Sequence, residues 1–153
     1  MKILVTSDSH GFLLPLMCAI EAEQPDMLIF LGDGVRDLRQ VRRTCRRLRI
    51  EHVRGNCDGW NEGEEERLLQ LEGHSVLLLH GHTRGVKQDL EPLYVLAKKR
   101  KAEWALYGHT HIPAYIEKDG IALLNPGSIG RREGASYAVL EVEDLVRCRL
   151  VTL

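Results

Sequence analysis

The chain has 153 residues, enough for one domain with its own core and short for two of ordinary size. Hydrophobic residues make up 44% and charged residues 28%, the composition of a soluble globular protein. A net charge of −1 gives no global argument for a nucleic-acid or anionic-membrane partner, and four cysteines (Cys18, Cys45, Cys57, Cys148) without a CxxC pair give no disulfide framework.

The apolar β-branched run "KILVT" (2–6) predicts a buried strand, and "FLLPLMCAIEAE" (12–23) a helix with Pro15 in its first turn. "DMLIFLG" (26–32) reads as a second buried strand. Val35, Leu38, Val41, Cys45 and Leu48 fall at helical spacing over 35–48, and "IEHVRG" (50–55) reads as a third strand. Strand and helix alternate here, which predicts βαβ units on a parallel sheet. Further on, "ERLLQLEG" and "HSVLLLHG" predict two strands around a turn at Glu72–Gly73, and 89–101 predicts another helix. "AEWALYG", "IPAYIEKDGIALLNPGS" and "SYAVLEVEDLVRCRLVTL" are strand-rich, with "KDG" and "VED" as hairpin turns. The expected architecture is α/β, two sheets packed together and flanked by helices, in a single domain over 1–153. Cys18, Cys45 and Cys148 sit in apolar or helical segments and are expected to be buried thiols. The N-terminus lacks the pattern of a signal peptide and no apolar run reaches membrane-spanning length, so the expectation is a cytoplasmic protein.

In open α/β sheets ligands gather beyond the carboxyl ends of the strands. Five strand ends here carry Asp, His or Asn: Asp8 and His10 in "SDSHG", Asp33 in "GDG", Asn56 and Asp58 in "GNCD", His80 and His82 in "LLLHGH", and His109 and His111 in "GHTH". A single Asp or His at such a place reads as a cap or a structural hydrogen bond. Five together, holding five of the seven histidines, read as a metal site. A mixed oxygen and imidazole set without a thiolate pair suits Mn, Ni, Fe, Zn or Co more than Ca. Seven or so donors from this set exceed the need of one ion and suit two, about 3.5–4 Å apart, that clamp a phosphate and activate a water at neutral pH.

In order and type the blocks "DSH" (8–10), "GD" (32–33), "GNCD" (55–58), "LLLHGH" (77–82) and "GHTH" (108–111) resemble the calcineurin-like metallophosphoesterase superfamily. Small size, "TSDSHG", "GNCD" and "NPGS" resemble its compact bacterial and archaeal phosphodiesterase branch. The resemblance implies a four-layer α/β sandwich of two mixed sheets and a metal-dependent phosphodiesterase with two divalent ions, Mn foremost. It implies Asp8, His10 and His111 on the first ion, Asp33 bridging both, and Asn56, His80 and His109 on the second. Of these, Asp8, Asp33, Asn56 and His80 are the expected catalytic core. Asp58 is expected to orient a ligand, and His82 to be a substitute ligand or a phosphate contact. Arg131 is a weak candidate for a phosphate oxygen.

Where the larger superfamily has a histidine in the third block, this chain has Cys57, a poor general acid near neutral pH. Esters with good leaving groups are therefore the expected substrates, small phosphodiesters or phosphomonoesters, with no membrane, little expectation of nucleic acid and a possible homodimer. The competing reading is a catalytically weak or inactive binding or adaptor module on the same fold, since a fold alone does not settle function.

Overall fold

The computed structural model describes residues 1–153. Five strands form the first sheet in the order β10 (Val146–Thr152), β9 (Ser136–Val142), β1 (Lys2–Thr6), β2 (Met27–Phe30), β3 (Arg49–His52). The second runs β4 (Glu66–Leu71), β5 (His74–Leu79), β6 (Trp104–Leu106), β8 (Ile121–Pro126), β7 (Pro113–Lys118). β1, β2 and β3 are parallel, as are β5, β6 and β8, while β4, β7, β9 and β10 run antiparallel to their neighbours. Both sheets are mixed.

Alternation along the strands builds the layers. Ile3, Val5, Met27 and Ile29 point inward and meet Val76, Leu78, Leu106 and Leu124 of the second sheet in one shared core. The intervening Leu4, Leu28 and Phe30 point outward, under α1 (Leu14–Glu23) and α2 (Leu38–Thr44). On the far side Leu77, Leu79, Ala105 and Leu123 pack under α3 (Glu91–Lys99) through Leu93, Tyr94 and Ala97. The result is the expected α–β–β–α sandwich. Strands buried on both faces explain why β1 and β2 read as unbroken apolar runs.

Two expectations are corrected. The helix foreseen over 35–48 is a 3₁₀ turn at Val35–Asp37 followed by α2, which stops at Thr44 with Cys45 already off helical geometry (φ −109°, ψ 64°). β3 pairs Arg49 with Met27, so the chain must reverse within four residues whatever the helical periodicity allows. Cys18 is exposed, and Cys45 and Cys148 are only partly covered. α1 turns Leu16, Ala19 and Ile20 to the sheet, which leaves position 18 outside. No helix is long and apolar enough to cross a membrane.

Candidate metal centre

The carboxyl ends of β1, β2, β5 and β6 converge at the seam between the sheets. Asp8 N–H donates to Gly32 O at 2.9 Å, His10 N–H to Asp33 O at 3.1 Å and Gly108 N–H to His80 O at 3.0 Å, so the loops are stitched by backbone before any side chain acts. Gly34 is required here: its φ is 140°, and a Cβ would stand 2.0 Å from Ser9 Oγ. Gly11, by contrast, has open space around it and is needed only for its φ of 83°.

Asp8 is fully buried and Asp33 nearly so. Asp8 Oδ1 accepts from His111 Nε2 at 3.0 Å, and His10 Nε2 stands 3.6 Å from the same oxygen. Asp33 Oδ2 lies 3.3 Å from His80 Nε2 and 3.8 Å from His10 Nε2. Donor atoms gather in three overlapping groups: Asp8 with His10 and His111, Asp33 with His80 and His109, and His10 with Asp33 and Cys57. Six of the seven ligands expected from the sequence thus stand together. The seventh, Asn56, is exposed beside Cys57, and its Nδ2 donates to Cys57 Sγ at 3.4 Å while its Oδ1 accepts nothing. Cys57 enters the third group as a donor that the sequence did not mark.

His80 tests whether cations fit. The ring is completely buried, and Nδ1 donates to Leu31 O at 2.7 Å, which turns Nε2 toward Asp33 and Asp8. Nε2 has no hydrogen-bond partner although it is 3.3 Å from Asp33 Oδ2. A lone pair facing two carboxylates is unfavourable unless a positive charge, proton or metal ion, lies between. Burial alone would lower the His80 pKa; Asp33 and Asp8 outweigh it and raise it. Burial also tends to raise Asp33, but His80 and the Cys57 amide hold it well below the usual carboxylate range. Burial and the neighbouring His80 charge bring His109 down to about 4, so its ring is neutral and able to ligate near pH 7. His10 Nε2 and His111 Nε2 lie 3.3 Å apart, at 3.6 and 3.0 Å from Asp8 Oδ1.

Backbone geometry marks the same residues. Nine non-glycine residues have positive φ, and five of them are Asp8, His10, Asp33, His109 and His111. The left-handed region is disfavoured for side chains, so its concentration at one cluster is the mark of a functional constraint.

The supports are largely residues that the sequence did not mark. Ser7 Oγ donates to Asp8 Oδ2 at 2.5 Å, and Ser128 Oγ to Asp8 O at 2.8 Å. Asn125, buried in "NPGS", donates to Gly108 O at 2.9 Å and Thr110 Oγ1 at 3.0 Å, fixing the His109 loop. Asp37 accepts from Ser9 Oγ at 2.5 Å and Gly11 N–H at 3.0 Å. Asp58 turns away from the cluster: Oδ2 accepts the amides of Asp33 at 2.7 Å and Gly55 at 2.8 Å, and Oδ1 those of Gly34 and Val35, both at 2.9 Å. His82 is half-buried with its ring 5.5 Å from His80, outside the three donor groups. Arg131 is exposed and unpaired, one residue after Gly130, whose amide donates to Asp8 O at 3.2 Å. A cleft of about 730 Å³ lies at the opposite strand ends, between α1 and α2, and holds none of these residues.

A two-sheet sandwich with aspartates and histidines gathered at the parallel strand ends presents a candidate site for divalent metal. The calcineurin-like phosphoesterase superfamily domain matches residues 1–145, and the chain belongs to that family. It is 32% identical over 149 residues to the probable metallophosphoesterase YsnB of Bacillus subtilis, covering 94% of this chain and 86% of that one. The phosphodiesterase YfcE of Escherichia coli K12 is 28% identical, over 92% and 88% of the two chains. A predicted phosphoesterase from Streptococcus pneumoniae superposes with a TM-score of 0.82 at 28% identity, over 99% and 88%. Zinc-complexed Vps29 of Entamoeba histolytica reaches 0.80 at 21% identity, over 99% of each chain, a likeness of fold alone.

Proposed function

We propose that this chain is a phosphodiesterase that hydrolyses small phosphodiesters at a pair of divalent ions, Mn foremost, with Ni, Fe, Zn or Co as alternatives. The observation that carries the reading is His80, buried with an unpartnered Nε2 facing two carboxylates. One ion is assigned to Asp8, His10 and His111, the other to Asn56, His80 and His109, with Asp33 between them. Two ions so held would supply charge for the phosphate oxygens and lower the pKa of a water.

The chain's own residues set the remaining chemistry. Asp8 and Asp33, shut off from solvent at one end, hold negative charge where the cations are needed, and His80 cannot rotate because Leu31 O holds Nδ1. His10, His111 and Asn56 lie toward solvent, so substrate enters on their side. The one thiol in reach is unsuited to protonate a leaving group: burial and the Asp33 carboxylate push Cys57 up, away from neutrality. The enzyme therefore depends on leaving groups that depart as anions.

Metal-stripped protein should hydrolyse bis(p-nitrophenyl) phosphate only after Mn²⁺ is restored, and Asp33→Asn should abolish the recovery. Binding of two ions without turnover on any diester would favour the adaptor reading. Failure to bind metal at all would overturn the site.

A further inference from the structure

The segment 35–49 carries seven arginines against one acid, Asp37, in a protein whose net charge is −1. Arg36 pairs with Glu62 at 2.9 Å and Arg49 with Glu51 at 3.0 Å. Arg39, Arg42, Arg43, Arg46 and Arg47 are all exposed, and none has a carboxylate in ion-pair reach. Leu38 and Val41 face the core, so Arg39, Arg42, Arg43 and Arg46 take the outer face of α2 and its exit. Arg39 and Arg42 or Arg43 succeed one another at about one helical turn, roughly 5.4 Å, and Arg46 follows in the turn beyond the helix end. Asp37 is engaged by Ser9 and Gly11 and does not neutralise them.

The loop that Arg36 holds through Glu62 carries Trp60, 84% exposed, the most exposed large apolar side chain of the protein. Exposure to this degree is unusual for tryptophan, whose large ring is mostly covered in folded proteins. Its loop is not loose. Asp58 ties one end to the amides of Asp33, Gly34 and Val35, and at the other Glu62 accepts from Gly59 N–H at 2.6 Å and Arg36 Nε at 2.9 Å. His52 Nε2 contacts Glu62 O at 3.1 Å, and the fields of Arg39 and Arg42 act on Glu62 and His52 respectively. The acids of the loop are mostly spent: Glu62 on Arg36, Glu65 on Arg54, Glu66 on Arg84 and Arg100, which leaves Glu64. A row of free arginines, a presented indole and the candidate metal centre are therefore joined through Asp58 and Glu62.

We propose that this flank binds single-stranded oligonucleotide, with the α2 arginines on successive phosphates and Trp60 stacked on a base, so that the diester reaching the metal centre belongs to a nucleic-acid strand. The substrate class rests on the phosphodiesterase reading; the binding does not. A lone small diester has one phosphate and no use for the row. Basic tracks joined to an aromatic platform hold single strands with little regard for sequence. Net charge hides the track because the compensating acids lie elsewhere on the surface.

The test is fluorescence anisotropy of a fluorescein-labelled thymidine ten-mer with the Mn-loaded protein, alongside bis(p-nitrophenyl) phosphate turnover. Trp60→Ala should weaken strand binding about 5- to 150-fold, the range of one stacked base. Arg42→Ala with Arg46→Ala should flatten the slope of log K against log salt by about 1.4, roughly 0.7 per phosphate contact. Both variants should keep wild-type turnover of the small diester. Binding should also quench tryptophan emission, a signal that Trp60→Ala removes because Trp104 is buried. Hydrolysis of the small diester without strand binding would overturn the inference and leave the phosphodiesterase reading intact. Strand binding without hydrolysis of either would do the reverse. Equal competition by polyglutamate of the same charge would show a surface that reads charge alone, and would also overturn it.

Discussion

Replacement of Asp58 by Asn is the most direct probe of how the site is held. The carboxylate accepts four backbone amides, two on each oxygen, at 2.7 to 2.9 Å. Asn supplies one oxygen, so whichever way the amide turns, an NH₂ faces two N–H groups. Two charge-assisted bonds at about 1.5–3 kcal/mol each are lost, and the other two fall to neutral strength. Asp58 is only half-buried, so water satisfies part of what is orphaned, and the expected cost is about 3 kcal/mol. In a chain of this size that lowers the Tm of the metal-free protein by about 6–12 °C. Asp33 also loses what holds its left-handed backbone (φ 57°), and metal affinity should drop about 10- to 100-fold. Circular-dichroism melts without metal and calorimetric Mn²⁺ titration measure the two effects. A metal-free Tm within about 2 °C of wild type would refute the assignment of Asp58 as the organiser of these loops.

Cys57→His should raise turnover of alkyl phosphodiesters about a hundredfold, the scale of one well-placed general acid, and change p-nitrophenyl esters far less. Competition between the two substrate classes in one assay reads the difference, and equal gains on both would deny Cys57 a place beside the leaving group. A second variant, Glu23→Gln, tests acid stability. Burial tends to raise Glu23, but Arg149, Lys2 and Tyr137 outweigh it and bring it down to about 2. The folded pKa lies below the ordinary 4.5, so the stabilisation is complete above about pH 4.5 and disappears as pH falls toward 2. With Lys2 and Arg149 partly in solvent, the variant should lose about 1–2 kcal/mol at pH 7 and nothing at pH 2. Urea midpoints at the two pH values check it, and a gap that persists in acid would contradict the linkage.

The layers were legible because β1, β2 and β5 are covered on both faces and carry uninterrupted apolar runs. The early end of α2 was not, since it is dictated by the pairing of Arg49 with Met27, a contact that leaves no local pattern. Nor was the return of β9 to the side of β1, where Ile3 meets Leu140 across most of the chain. In the site, residue type betrayed the donors: Asp and His after a strand advertise their chemistry. Ser7, Asp37, Asn125 and Ser128 do not, because a serine that holds an aspartate looks like any loop serine until the fold closes. Net charge, a single sum, says nothing of the arginine flank, although the basic run over 36–49 is plain in the local sequence and reads there as a solvated helix face.

The left-handed backbones of Asp8, His10, Asp33, His109 and His111 have a bearing on heredity. Each conformation costs about 1 kcal/mol, against about 5–15 for the stability of a whole domain. A glycine at His10 or His109 would relieve its share, whereas at Asp8 or Asp33 it would orphan the Ser7 hydroxyl or the Cys57 amide. Loss of the histidine donors would thus cost this architecture little stability, and selection for the proposed chemistry is what would keep them in place. Lineages in which that selection lapses are expected to drift toward stable, metal-poor descendants that retain the sandwich and put its surfaces to other uses.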